Sequence, residues 1–183
     1  MTGKRLFTKV SPALWTSRRY RGVEHLARLY FTYLLTNAHI DSTGCYRLPD
    51  AYACSDFGID AETQTGLVAS LVKADLIAVD SAAEYVLIKR WFKHNPLTNA
   101  DHAKGTKRLI AEIESDSLRE DCEAAFAEAE IALNARLEQI DAAKADREQR
   151  AKLRAANAQS IHPGSDYSNG RLTNSKYMNP GAK

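Results

Sequence analysis

The chain has 183 residues, 44% of them hydrophobic and 26% charged, which suits one ordinary domain or a small domain with an appended helix. No apolar run approaches the roughly 20 residues that span a bilayer, and Met1-Thr-Gly-Lys-Arg-Leu-Phe has no apolar core before a small-residue cleavage site, so neither a membrane anchor nor a signal peptide is expected and a cytoplasmic location is. The net charge of +2 hides an asymmetry: residues 1–108 carry 15 basic and 10 acidic side chains, whereas residues 109–155 carry 7 and 12, so two surfaces with different partners are expected.

In chain order, the basic start comes first: residues 1–30 hold seven Lys or Arg against Glu24 alone. Val23 to Ala38 then places apolar residues at 23, 26, 27, 30, 31, 34 and 35, a helical period and the strongest one in the chain. His-Ile-Asp-Ser-Thr-Gly is a turn cluster. Cys45 to Leu48, stopped by Pro49, predicts a brief edge strand. Asp50 can cap a short helix over Ala51–Phe57, which Gly58 ends. Asp60 caps a further helix reaching about Ala74, with Leu67, Val68, Leu71 and Val72 as its buried stripe. Leu76–Asp80 and Tyr85–Trp91 predict two strands joined tightly at Ser81-Ala82-Ala83.

Helix, short strand, helix, turn, helix, strand, hairpin, strand is the order of a winged helix-turn-helix, the alternative being a generic small α+β domain. Residues 93–103 predict a loop, and helical spacing resumes at Lys104, breaks at Glu114–Ser117 and restarts at Leu118 with Phe126, Leu133 and Ile140. The expected class is mainly α with a small β-wing, an α+β winged helix-turn-helix followed by long C-terminal helices. The expected divisions are a winged-helix domain over 1–98, a helical region over 99–158 and a flexible tail over 159–183, rich in Ser, Asn, Gly and Pro.

A helix-turn-helix offers its second helix to the major groove. Here that helix presents Thr63, Thr65 and Lys73 as candidate DNA contacts, with only Lys73 basic, so it serves equally well as core support or a protein surface. The wing exit is richer: Lys89, Arg90 and Lys93 surround Trp91 and Phe92. Strand alternation would put Val86, Ile88 and Arg90 on one face and Leu87, Lys89 and Trp91 on the other. The cations suit phosphate, and the two rings suit either base stacking or anchorage in the core. Arg18, Arg19 and Arg21 form a basic arm before the first long helix, either lying along a DNA backbone or solvating a loop. About six phosphate contacts would give a log–log salt slope near −5.

The five histidines are scattered, with no HxH, HExxH or Cys/His spacing for a metal, and neither GxxxxGK[ST] nor GxGxxG is present, so no enzyme, metal or cofactor is expected. Cys45, Cys54 and Cys122 form no CxxC pair and are expected as reduced, partly buried thiols.

Three stretches carry a resemblance: RLFTKVSPALW (5–15), LARLYFTYLLTNAHIDSTGCYRLP (26–49) and LVASLVKADLIAVDSAAEYVLIKRWFKHNP (67–96). Leu34-Leu35-Thr36-Asn37, Gly44 to Pro49 and Lys89 to Pro96 resemble the turn, short strand and wing exit of the N-terminal domain of phage and prophage replication proteins, the replisome-organiser and DnaD-like group. The resemblance covers roughly residues 5–115. It implies a winged helix that binds DNA at a phage origin inside a bacterial host cell and helps recruit replication machinery. The aromatic signature of a DnaD-type C-terminal domain does not follow residue 115. The expectation is a non-enzymatic, phage-type DNA-binding protein acting in replication initiation or replisome recruitment. Its acidic helical half is expected to hold a replication or host protein or a second copy of the chain. The alternatives are an inhibitor of a host system, such as an anti-defence factor, and a transcription regulator.

Overall fold

The structure, a computed structural model, describes residues 8–160, with side chains to residue 157. Lys4 and Arg5 of the basic start, His162 and the expected tail beyond residue 160 lie outside the described residues. Two compact units divide the chain, the first running to Glu138 and the second beginning at Gln139. Most of the described chain is helical, beside one three-stranded antiparallel sheet, the α+β class that the sequence predicts.

The first unit opens with a single 3-10 turn, Pro12–Thr16, and a short helix α1, Arg18–Gly22. Helix α2, His25–Thr36, buries Ala27, Tyr30, Phe31 and Leu34 on one stripe. Asn37 ends it, its side-chain amide donating to the carbonyls of Tyr33 and Leu34 and to the Tyr46 hydroxyl. Strand β1, Cys45–Arg47, is entered through Gly44 at φ +69, where a Cβ would stand 2.3 Å from Cγ of Trp91; only glycine fits that approach. Helix α3, Asp50–Phe57, ends on Gly58 in the left-handed region. Its cap position falls on Pro49, not on Asp50, whose carboxylate instead accepts from Gln64 Nε2 at 2.8 Å. Helix α4, Ala61–Lys73, is capped by Asp60, which accepts from the Thr63 N–H at 2.7 Å. Burial places α4 against α2 through Leu67 and Leu71.

Strands β2, Ile77–Asp80, and β3, Tyr85–Ile88, complete the sheet in the order β1-β3-β2. Tyr85 stands opposite both Arg47 and Asp80. Val86, Leu87 and Ile88 are all buried, so central β3 is covered on both faces. The chain then leaves the strand. Arg90 takes φ +60, and Trp91–His94 forms a helical turn, α5. The strand expected to reach Trp91 therefore stops at Ile88, and the alternation assigned to Arg90, Lys89 and Trp91 does not apply.

Helix α6, Ala100–Ala111, begins within the segment read as a loop, because Asn99 caps it by accepting from the His102 N–H at 2.8 Å. Helix α7 runs Asp116–Ser160. Ile110, Ile113, Leu118, Cys122, Phe126 and Leu133 share one core with the sheet and α2. Phe92 meets Phe126 edge-on at 5.8 Å. Residues 99–138, which the sequence reading sets apart, thus build the same compact unit. Of the heptad-spaced trio, Phe126 and Leu133 are buried and Ile140 is exposed.

Candidate nucleic-acid interface

The basic arm is fixed by one aromatic side chain. Tyr20 is buried in α1, edge-on to Trp15, and its hydroxyl meets the Arg28 carbonyl and the Thr32 hydroxyl. Arg28 donates to the carbonyls of Val23 and Arg21, closing the arm onto α2. Between these anchors Arg18 and Arg21 stand exposed and Arg19 is half-buried.

Asp75 then joins the arm to the end of the hairpin. It sits in the left-handed turn after α4, at φ +54, and receives Arg19 Nη1 at 3.1 Å and Arg90 Nη2 at 2.8 Å. Arg19 Nη1 is itself buried and makes no aligned hydrogen bond, so its attraction to Asp75 is that of charge at close range. Lys89 turns the other way and pairs with Asp121 of α7 at 2.6 Å. Lys73, in the last turn of α4, and Lys93, in α5, are exposed and hold no ion pair among the described residues. A cavity of about 80 Å³ lies between the segment that precedes the arm and the strand exit, bordered by Lys9, Lys89, Arg90 and His94, with Asp75 as its acid.

Seven of the predicted contacts, Arg18, Arg19, Arg21, Lys73, Lys89, Arg90 and Lys93, thus belong to segments gathered around the Asp75 turn. Thr63 and Thr65 do not. They lie near the other end of α4, with Thr63 about 15 Å from Lys73 at 1.5 Å rise per residue. Their polar groups are engaged locally: the Thr63 N–H on Asp60, and the Thr65 hydroxyl on the Ala61 carbonyl at 2.8 Å. Trp91 and Phe92 are buried in the core, so neither ring is free to stack on a base, and Trp91 Nε1 donates to the Ser42 carbonyl.

Sequence reasoning missed Asp75 and Lys9. Asp75 had one readable signal: an acid just past a helix C-terminus, where the helix dipole disfavours it. Lys9 had none, since its place beside the strand exit depends on the tertiary fold.

A groove of about 270 Å³ runs between α4 and the sheet, and Asp50, Asp80 and Glu84 are its charged lining residues. Asp80 accepts from Ser115 Oγ at 2.6 Å and from the Ala82 and Ala83 N–H groups, which hold its carboxyl below the usual range. Glu84 pairs with Arg47 at 2.5 Å.

Cys45 and Cys122 are buried free thiols whose pKa burial pushes up to about 12, and Cys54 is half-buried. Among the described residues no group of three or more His, Cys, Asp or Glu is placed to hold a metal ion, and no helix is long and apolar enough to cross a membrane. Comparison with family models, curated proteins and solved structures returns no match.

Proposed function

We propose that this chain is a non-enzymatic winged helix-turn-helix protein of phage type that binds the DNA backbone and acts in replication initiation or replisome recruitment in the bacterial cytoplasm. The order α2, β1, α3, α4, β2, β3, with strands arranged β1-β3-β2, supports the winged-helix reading. The observation that carries DNA binding is the junction at Asp75: its carboxylate joins Arg19 of the arm to Arg90 of the strand exit, so two basic segments far apart in sequence meet at one turn, and Arg18, Arg21, Lys73 and Lys93 of those segments and of α4 hold no ion pair among the described residues and are left for phosphate. Phosphate contacts need cations at that density and no base readout. The DNA surface therefore lies at the C-terminal end of α4, with Lys73, and away from Thr63 and Thr65.

The exposed acids of α7, such as Glu120, Glu123 and Glu128, face the second partner in this reading, a replication or host protein or another copy of the chain. Fluorescence anisotropy with random duplex and single-stranded DNA across a salt series tests the proposal. Arg19, Lys89 and Arg90 are spent on internal acids. Arg18, Arg21, Lys73 and Lys93 remain, and four phosphates give a log–log slope of about −3.6. Absence of binding at low salt would sink the DNA reading and leave the inhibitor. Tight binding to a single promoter-like site would make the protein a regulator.

A further inference from the structure

The groove between α4 and the sheet has features that DNA cannot use. Leu48, Val68, Val72, Ile77 and Val79 give it aliphatic walls, and Val72 is 42% exposed there although it is a large hydrophobic side chain. The buried Gln64 amide lines the groove too, held between Asp50 and the Tyr30 hydroxyl. Its volume of about 270 Å³ falls just short of the roughly 300–1,000 Å³ of pockets that engulf a small molecule, which suits one or two side chains of a docked segment.

The charge of the groove decides what that segment is. Asp50, Asp80 and Glu84 line it, and no Lys, Arg or His does. Asp50 and Asp80 are hydrogen-bonded by neutral donors, Gln64 and Ser115, so their negative charge stays uncompensated, and only Glu84 has a cation, Arg47. A phosphate backbone laid across this face would meet like charge.

We propose that this groove is a docking site for a peptide segment of another protein, one that carries aliphatic anchors flanked by lysine or arginine. The anchors enter between Val68, Val72 and Val79, and the cations meet Asp50, Asp80 and Glu84. Peptide recognition of this kind combines apolar pockets with complementary charge at the rim. Neither Lys73 nor Asp75 lines the groove, so the basic surface at the Asp75 turn stays available to DNA while the peptide is bound.

The test uses the full chain and a fluorescein-labelled heptapeptide alternating lysine with leucine, beside the same peptide with glutamate for lysine. Anisotropy should show saturable binding of the lysine peptide only, weakened by salt. In ¹⁵N spectra the shifts should centre on Val68, Ala69, Val72 and Val79. Ala69→Arg puts a cation on an exposed helical position in the groove wall and should weaken the peptide at least tenfold while leaving the circular dichroism unchanged. Glu84→Gln should weaken it about threefold. Equal binding of the glutamate peptide, unchanged affinity in Ala69→Arg, or shifts centred on the acids of α7 would each overturn the proposal. Failure to bind duplex DNA would overturn the DNA reading and leave this one standing.

Discussion

Asp75 occupies a left-handed turn that most side chains avoid, and it neutralises two arginines exactly where the proposed surface needs positive charge. Both pairs are part-exposed, so their contribution to folding is small, about 0–1 kcal/mol. Their larger effect is on the field that a phosphate would meet. Asn tolerates the left-handed region well, so Asp75→Asn keeps the turn and removes only the charge. Random-duplex affinity at low salt should rise several-fold in Asp75→Asn, and the salt slope should steepen as Arg19 and Arg90 become free to contact phosphate. An unchanged affinity, read by anisotropy, would remove both arginines from the interface. The cysteines allow a separate check of the core. With a pKa of about 12, the buried thiols Cys45 and Cys122 are ionised to about one part in ten thousand at pH 8. A maleimide or disulfide reagent should therefore modify Cys54 alone in the native protein, and all three thiols in denaturant. The other two should become reactive in the folded state only as the pH climbs toward 12, because burial raises their pKa and keeps the thiol form dominant below it.

At the level of elements, α2, β1, α3 and α4 were legible because each has a signal within its own span: a helical stripe, a proline stop, a left-handed glycine, an Asp cap. The end of β3 was not. Val86, Leu87 and Ile88 are all buried in a strand covered on both faces, which leaves no alternation to count and no mark for where the strand stops. Trp91 and Phe92 then turn into the core on a helical turn, Phe92 against Phe126, thirty-four residues further along the chain. The start of α6 was hidden because Asn99 was read as loop composition when it is a cap. The same ambiguity governs α4 as a DNA element. Its candidate contacts Thr63 and Thr65 were chosen for chemistry at groove-facing positions, whereas the acids of the neighbouring hairpin and of α3 come close only in three dimensions. The two ends of the helix should therefore behave oppositely. Lys73→Glu should lower duplex affinity about tenfold at 50 mM salt and reduce the salt slope by about one. Thr65→Ala, which gives up a hydroxyl already bonded to Ala61, should stay within twofold of the parent protein. A large loss in Thr65→Ala with none in Lys73→Glu would return the interface to the N-terminal end of α4.

Over the whole molecule, the charge asymmetry was readable from composition, but the boundary of the folded unit was not. A division after residue 98 follows from motif order, since the last predicted strand and its basic exit end there. Physically the core continues. Leu97, Ile110, Ile113, Leu118, Phe126 and Leu133 are buried in one cluster with Tyr30, Leu87 and Trp91. Ser115 ties the α6–α7 turn to the hairpin through Asp80, and Arg136 donates to the carbonyls of Leu97 and Thr98. A chain ending at residue 98 leaves Phe92, Leu87 and their neighbours without cover, at about 1.5–3 kcal/mol for each large side chain returned to water. A whole domain has only about 5–15 kcal/mol to lose. A chain ending at Glu138 keeps every one of these contacts, because Leu133 and Arg136 both precede its end. Residues 1–138 should therefore unfold cooperatively with a Tm within a few degrees of the full chain. Residues 1–98 should show no cooperative transition by circular dichroism and should expose apolar surface to a dye. The proposed DNA surface lies wholly before residue 98, yet its geometry depends on α7, since Lys89 is held by Asp121 and the strand exit rests on Phe126. DNA affinity should accordingly persist in residues 1–138 and fall sharply in residues 1–98. A cooperative transition and full DNA affinity in residues 1–98 would show that α6 and α7 are additions to a self-sufficient domain.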